Sequence, residues 1–137
     1  MIKTASKINL FFLELTLMLL ILALSMAVCI QVFFYAQTTA DYSRDLSNAT
    51  IKAQSVAACY KSFAGDLGRT AEHLSGSGSV SDKMTLYYDK EWRLAAADKG
   101  SYHLSINEEN SVASISVLRL EDQLELFSID VRAVDYE

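Results

Sequence analysis

The sequence contains no proline. Nothing in it removes a backbone donor or forces a helix to stop, so long uninterrupted helices are open to it. Cysteine is almost as scarce, with Cys29 and Cys59 the only two. On one continuous helix they stand about 45 Å apart at 1.5 Å per residue, far beyond disulfide reach, and both read as small apolar fillers. An exported domain with no internal disulfide relies on its apolar core. There are two histidines, His73 and His103, in different predicted elements. No Ser-His-Asp, Cys-His or metal-ligand spacing accompanies them, so no catalytic, metal or cofactor site is expected and the chain is not read as an enzyme. His73 reads as a surface histidine. Glycine numbers five, and the run Ser75-Gly76-Ser77-Gly78-Ser79 lacks the Gly-Lys-Ser/Thr ending of a phosphate loop. Positive charge is in deficit, at a net −5 for the chain. An acidic chain is a poor binder of phosphate backbones, so nucleic acid is not an expected partner, and no small-molecule substrate is indicated.

What the chain has is one apolar run, Leu10 to Ala36, 27 residues with Glu14 as their only charge. About 20 such residues cross a bilayer core as a helix, and in hydrocarbon a lone segment must be helical to satisfy its backbone. The run is too long for a signal-peptide core of about 7 to 15 residues. Ser25-Met26-Ala27 has the form of a signal peptidase site, but cutting there leaves VCIQVFFYA exposed, and Val28 is too large to precede a lipoprotein Cys29. Lys3 and Lys7 precede the run, while 10 Lys/Arg and 16 Asp/Glu follow it. That asymmetry predicts a single-pass protein with a cytoplasmic N-terminus and an extracellular C-terminal domain, held in membrane lipid. A carboxylate within such a helix costs about 2.5–3.5 kcal/mol and calls for a partner or a job. On position alone Glu14 also reads as a residue snorkelling to the headgroups.

Beyond the run, Tyr42, Leu46, Ala49, Ala53, Val56, Tyr60, Phe63 and Leu67 recur at alternating steps of four and three. This is one face of a helix. It is richer in Ala and Tyr than a coiled-coil seam and suits packing on a sheet. With no boundary signal at Gln37, one helix from about Leu10 to Ala64 is predicted, ended by Gly65 and Gly68. Asp66 is placed to cap a short second helix through Leu74. The SGSGS run is a flexible connector. The remainder alternates with period two. Met84, Leu86 and Tyr88 mark a first strand, then a turn at Asp89-Lys90. Trp92, Leu94 and Ala96 mark a second strand, and Tyr102, Leu104 and Ile106 a third. After a turn at Asn107–Asn110 come Ala113, Ile115 and Val117. Following Glu121–Gln123, Leu124 and Leu126 give way to Phe127, Ile129, Val131 and Ala133. The change of parity predicts a bulge near Leu126 or Phe127. Such short connections predict an antiparallel meander, one face covering the helix and the other wet. Tyr87, Tyr88, Trp92 and Tyr102 fit either an aromatic binding patch or the core of the small sheet. Asn48-Ala49-Thr50 matches a glycosylation sequon but falls mid-helix.

The basic leader, then Asn9-Leu10-Phe11-Phe12-Leu13-Glu14-Leu15, about 20 apolar residues and a long amphipathic helix resemble the N-terminus of type IV pilins and of type II secretion pseudopilins. The layout with a YYD-W strand pair also looks like short pilin-like proteins of Gram-positive bacteria. In that family a prepilin peptidase cuts a short leader, and a Glu stands fifth in the mature, methylated chain. The resemblance implies processing between Asn9 and Leu10, with Asn9 where the family usually has Gly and Leu10 where it often has Phe or Met. It further implies an assembly role for Glu14, Phe11 and Phe12 against other pilin-like subunits. Loss of Lys3 and Lys7 removes the cytoplasmic anchor. Glu14 would then neutralise the new amine of a neighbour, since paired charges tolerate low dielectric better than single ones.

The expected fold class is α+β: a long N-terminal helix packed on an antiparallel meander of about five strands. Residues 1–9 form the leader, 10–36 the transmembrane helix, 37–74 its amphipathic continuation with the second helix, 75–81 the connector and 82–137 the sheet. Tyr42, Leu46, Val56, Tyr60, Phe63 and Leu67 are the expected helix–sheet contacts. The expected function is a structural, minor subunit of a pilus-like or pseudopilus filament. The alternative is a single-pass protein that never polymerises and whose outer domain binds a partner.

Overall fold

A computed structural model describes residues 2–75 and 83–132. The elements are α1 (Ile2–Ser62), α2 (Leu67–Ser75), β1 (Lys83–Tyr88), β2 (Leu94–Ala95), β3 (Tyr102–Glu109), β4 (Val112–Arg119) and β5 (Leu124–Arg132). The chain is α+β, with one long N-terminal helix and an open five-stranded antiparallel sheet. It divides into two units, 1–42 and 43–137. Ser75, expected to open the connector, is the last residue of α2. The rest of the expected connector, 76–81, lies outside the described residues, as do residues 82 and 133–137 of the expected sheet.

In the first unit α1 is helical from Ile2, earlier than the expected start near Leu10, because nothing in the leader breaks it. The apolar side chains of its membrane-length run are exposed, Leu10 and Phe11 by 66% and 63%. Thr16 and Ser25 each donate to the carbonyl four residues back, at 2.8 and 2.9 Å. Their hydroxyls are thereby satisfied without water.

The second unit has a single core. Ala49, Ala53, Val56, Ala57 and Tyr60 of α1 and Leu67 and Ala71 of α2 share one apolar cluster with the inner face of the sheet. The inner face is Met84, Leu86 and Tyr88, then Leu104 and Ile106, then Ala113, Ile115 and Val117, then Leu126 and Val131. Alanine at positions 49, 53 and 57 lets the helix backbone lie close to the strands. Of the expected stripe, Tyr42 is 41% exposed and outside this core. Leu46 and Phe63 are half-buried. Leu67 is buried, but it belongs to α2 rather than α1.

That last difference follows from how α1 ends. The expected stop at Ala64 is corrected to Ser62. Gly65 N–H reaches back to the Tyr60 carbonyl at 3.0 Å and Ala64 N–H to that of Lys61 at 3.1 Å. This is the Schellman pattern, with Ala64 (φ 52°) in the left-handed position usually held by Gly and Gly65 (φ 84°) just after it. Asp66 Oδ1 then accepts the Arg69 amide at 3.0 Å, capping α2.

The sheet order is β2-β1-β3-β4-β5. β3, β4 and β5 follow one another, whereas β2 hangs on the far edge of β1 and the chain crosses back to β3. Trp92 and Ala96, expected in the second strand, lie outside it: β2 holds only Leu94 and Ala95. The expected two-residue turn at Asp89-Lys90 is a five-residue loop between Tyr88 and Leu94. Asp89 organises it, its Oδ1 accepting the amides of Glu91 at 3.0 Å and Arg93 at 2.9 Å. The return loop runs so close that a Cβ on Gly100 would stand 2.9 Å from the Cβ of Tyr87.

The expected turn at Asn107–Asn110 is also corrected. Pairing continues to Glu109↔Val112. The turn is Asn110-Ser111, both at positive φ (54° and 61°), as a two-residue type I′ hairpin requires. In β5 the register steps from Val117↔Phe127 to Leu118↔Glu125. Leu126 is therefore the extra, bulged residue, which explains the change of parity in the sequence.

Candidate functional site

Two places hold side chains whose placement asks for a reason. The first is the apolar part of α1. Asn9 and Leu10, the expected processing site, lie on its exposed helical surface, with Phe11 and Phe12 edge-to-face at 6.3 Å between ring centroids. Glu14 is exposed one turn further on. Its neighbours at three and four residues are Leu10, Phe11, Leu17 and Met18, none of which can pair with it. Among the described residues no hydrogen-bond or ion-pair partner meets the Glu14 carboxylate, in contrast to the self-satisfied Thr16 and Ser25. α1 is long and apolar enough to cross a membrane.

The second place is where α1 meets the sheet within residues 43–137. Asp45 Oδ1 accepts the Tyr102 hydroxyl at 2.8 Å, and Asp45 Oδ2 accepts Arg119 Nη1 at 3.0 Å. Arg119 turns its other edge to Asp122, with Nε to Oδ1 at 3.0 Å and Nη2 to Oδ2 at 2.6 Å. Trp92 stacks on Tyr102 at 4.1 Å between centroids and 21° between planes, with Tyr88 tilted 6.1 Å away. Trp92 has φ 60°, a strained conformation for so large a residue, which turns its ring onto the core.

The electrostatics follow from this geometry. Burial and then the bond to Asp45 push the Tyr102 phenol up to about 12. The Arg119 hydrogen bonds hold the Asp122 carboxyl below its ordinary range, and Asp122 chiefly raises Arg119 in return. Asp45, Tyr102, Arg119 and Asp122 thus direct their polar groups at one another, and the arrangement acts as a clamp between α1 and the sheet. Asp45, Arg119 and Asp122 were not singled out by sequence. The available signal was Asp45 lying beside the apolar stripe, one residue before Leu46, and it is weak because most such acids are solvated.

The aromatic patch divides between the two faces. Tyr88, Trp92 and Tyr102 are core, while Tyr87 stacks on His103 at 5.1 Å on the outer face of the sheet. Burial, then Lys83, lower the pKa of His103. His73 is exposed and lies edge-on to Phe63 at 5.6 Å. Among the described residues no His, Cys, Asp and Glu cluster could hold a metal ion. The Tyr60 hydroxyl is buried without a hydrogen-bond partner, and burial, then Glu108, push its pKa up. No protein-family model, curated protein or solved structure matches this chain.

Proposed function

We propose that this chain is a structural subunit of a type IV pilus-like or pseudopilus filament. It is inserted in the membrane as a precursor, cut between Asn9 and Leu10, and assembled through its N-terminal helix. The reading is supported above all by Glu14. A single carboxylate on an exposed, otherwise apolar helical surface, with no partner among the described residues, is costly unless another molecule supplies the cation. Cleavage would create that cation, a free amine at Leu10 one turn from Glu14. Between copies offset along the filament, that amine would meet a neighbour's Glu14. Phe11 and Phe12 would pack beside the pair and exclude water, which strengthens the attraction. The outer domain, closed by the Asp45–Arg119–Asp122 clamp, is then carried on the surface as a unit.

Substituting Glu14→Gln tests the role. The outer domain keeps its fold, because its core is drawn from Ala49 onward, while recovery in sheared filament fractions falls by an order of magnitude or more. Normal recovery removes Glu14 from the mechanism. A second reading, a single-pass protein that stays monomeric, is favoured by Asn9 standing where the resembled family has Gly. It predicts an uncut chain and no filament fraction.

A further inference from the structure

The sheet is open at both ends, and the two ends match. Among the described residues β5 pairs only with β4, and β2 covers β1 only at Tyr87 and Tyr88. Among the described residues the edge of β1 from Lys83 to Leu86 has no strand partner, and neither has the outer edge of β5. Such edges are templates for another strand unless blocked. We propose that β5 of one copy pairs with Lys83–Leu86 of β1 in the next copy, continuing the sheet head to tail.

The occupant is argued from the cross-strand rows. One row reads Lys83, Asn107, Ser114, Asp130 from edge to edge. It begins in a cation and ends in an anion on the same face, so stacking copies in register sets Asp130 beside the next Lys83. The neighbouring outer row is Thr85, Ser105, Ser116, Ser128, with hydroxyls on all four strands. On the inner face the rows end in Met84 and Leu86 at one edge and in Ile129 and Phe127 at the other. Ile129 and Phe127 are only partly buried.

Strand direction and hydrogen-bond parity also agree. Four long strands, an even number, separate the two edges, so β5 and the neighbour's β1 meet antiparallel. In antiparallel ladders, closely and widely spaced pairs alternate across successive strands as well as along them. An even number of strands therefore leaves the two edges in the same phase. The Leu126 bulge falls between the Phe127 and Glu125 rows, level with the point where β2 takes over the edge of β1. The bend thus falls where β1 needs no partner. A second copy added this way exposes the same two edges again. The contact is heterologous and open, the geometry that builds chains rather than dimers. Four residues of pairing make a weak contact, so it acts where copies are already concentrated, as on a shared membrane. This inference does not rest on the filament reading, and its failure leaves the role of Glu14 untouched.

The test uses the full chain in its membrane, with Cys29→Ser and Cys59→Ser, carrying Thr85→Cys and Ser128→Cys together. Within one copy these positions are three strand spacings apart, about 14 Å, too far for an internal disulfide. Mild oxidation is expected to give a ladder of dimers, trimers and longer species from the double variant, and only background from either single variant. Adding Lys83→Glu or Asp130→Lys alone should cut the ladder several-fold at low salt, and the two together should restore it. Monomer only, a product that stops at dimer, or equal cross-linking by a single variant overturns the proposal. A ladder indifferent to the charge swaps overturns the register.

Discussion

Arg119 and Asp45 are 74 residues apart in sequence and 3.0 Å apart in space. The guanidinium at the end of β4, an interior strand, reaches the carboxylate of α1, while its other face is held by Asp122. This stretch of α1 is thereby fixed to the sheet by more than apolar contact, and the pair is mostly shielded, with side chains 23% and 17% exposed.

Breaking that clamp should be felt throughout the unit formed by residues 43–137. Asp45→Ala strips a partner from both Tyr102 and Arg119 at once and is expected to cost about 1–3 kcal/mol, the penalty for leaving partly buried polar groups unmade. Asp45→Asn, which still accepts from Tyr102, should cost less. Trp92 is the only tryptophan and lies on Tyr102, so its fluorescence during denaturant unfolding reads both variants. Equal stability of Asp45→Ala and the parent chain would show the clamp to be ornamental.

Stability should hold level near neutral pH and fall on either side. His103 has a lowered folded pKa, so its contribution is complete above its ordinary value of 6.5 and is lost as pH drops below it. Asp122 is lowered too, and its contribution persists above the ordinary 3.8 and disappears as pH falls through the still lower folded value. Tyr102 acts in the opposite sense. Raised from 10.0 to about 12, it contributes fully below 10 and loses its contribution as pH climbs from 10 to about 12. Thermal unfolding followed by Trp92 should therefore show an acid decline beginning near pH 6.5, and His103→Gln should delay its onset.

Two of the non-glycine residues at positive φ stand where a small side chain makes glycine an easy replacement. Ala64 (φ 52°) closes α1 and Ser111 (φ 61°) completes the β3–β4 turn. Relief of about 1–2 kcal/mol of left-handed strain exceeds the unfolded-state freedom that glycine adds, about 0.4–1 kcal/mol. Ala64→Gly and Ser111→Gly should each stabilise the domain by roughly 0.5–1 kcal/mol. Each effect is measured as the shift in denaturant midpoint.

Backbone positions of this kind show what sequence could and could not reveal. Periodicity disclosed the elements because burial enforces it. Met84, Leu86 and Tyr88, or Ala113, Ile115 and Val117, alternate since one sheet face is the core. The slip from Leu126 to Phe127 betrayed the bulge for the same reason. Punctuation was harder. Gly65 drew the helix end to itself, though Ala64 takes the left-handed position. Asn107 looked like a turn residue, yet tertiary pairing carried β3 on to Glu109. Trp92 fitted the alternation of a strand and instead closes a loop. Asp45 and Arg119 left no mark, because a pair joined across 74 residues has no spacing to read. Glu14, by contrast, was plain, since it is the one charge in the apolar run.

The central claim is tested most directly by the N-terminus of the mature protein. Intact-mass and N-terminal peptide measurements on protein recovered from membranes and filaments should find a chain beginning at Leu10, its amine methylated, with Lys3 and Lys7 gone. Protein recovered only with those lysines in place, ahead of an uncut Asn9–Leu10 bond, contradicts the account.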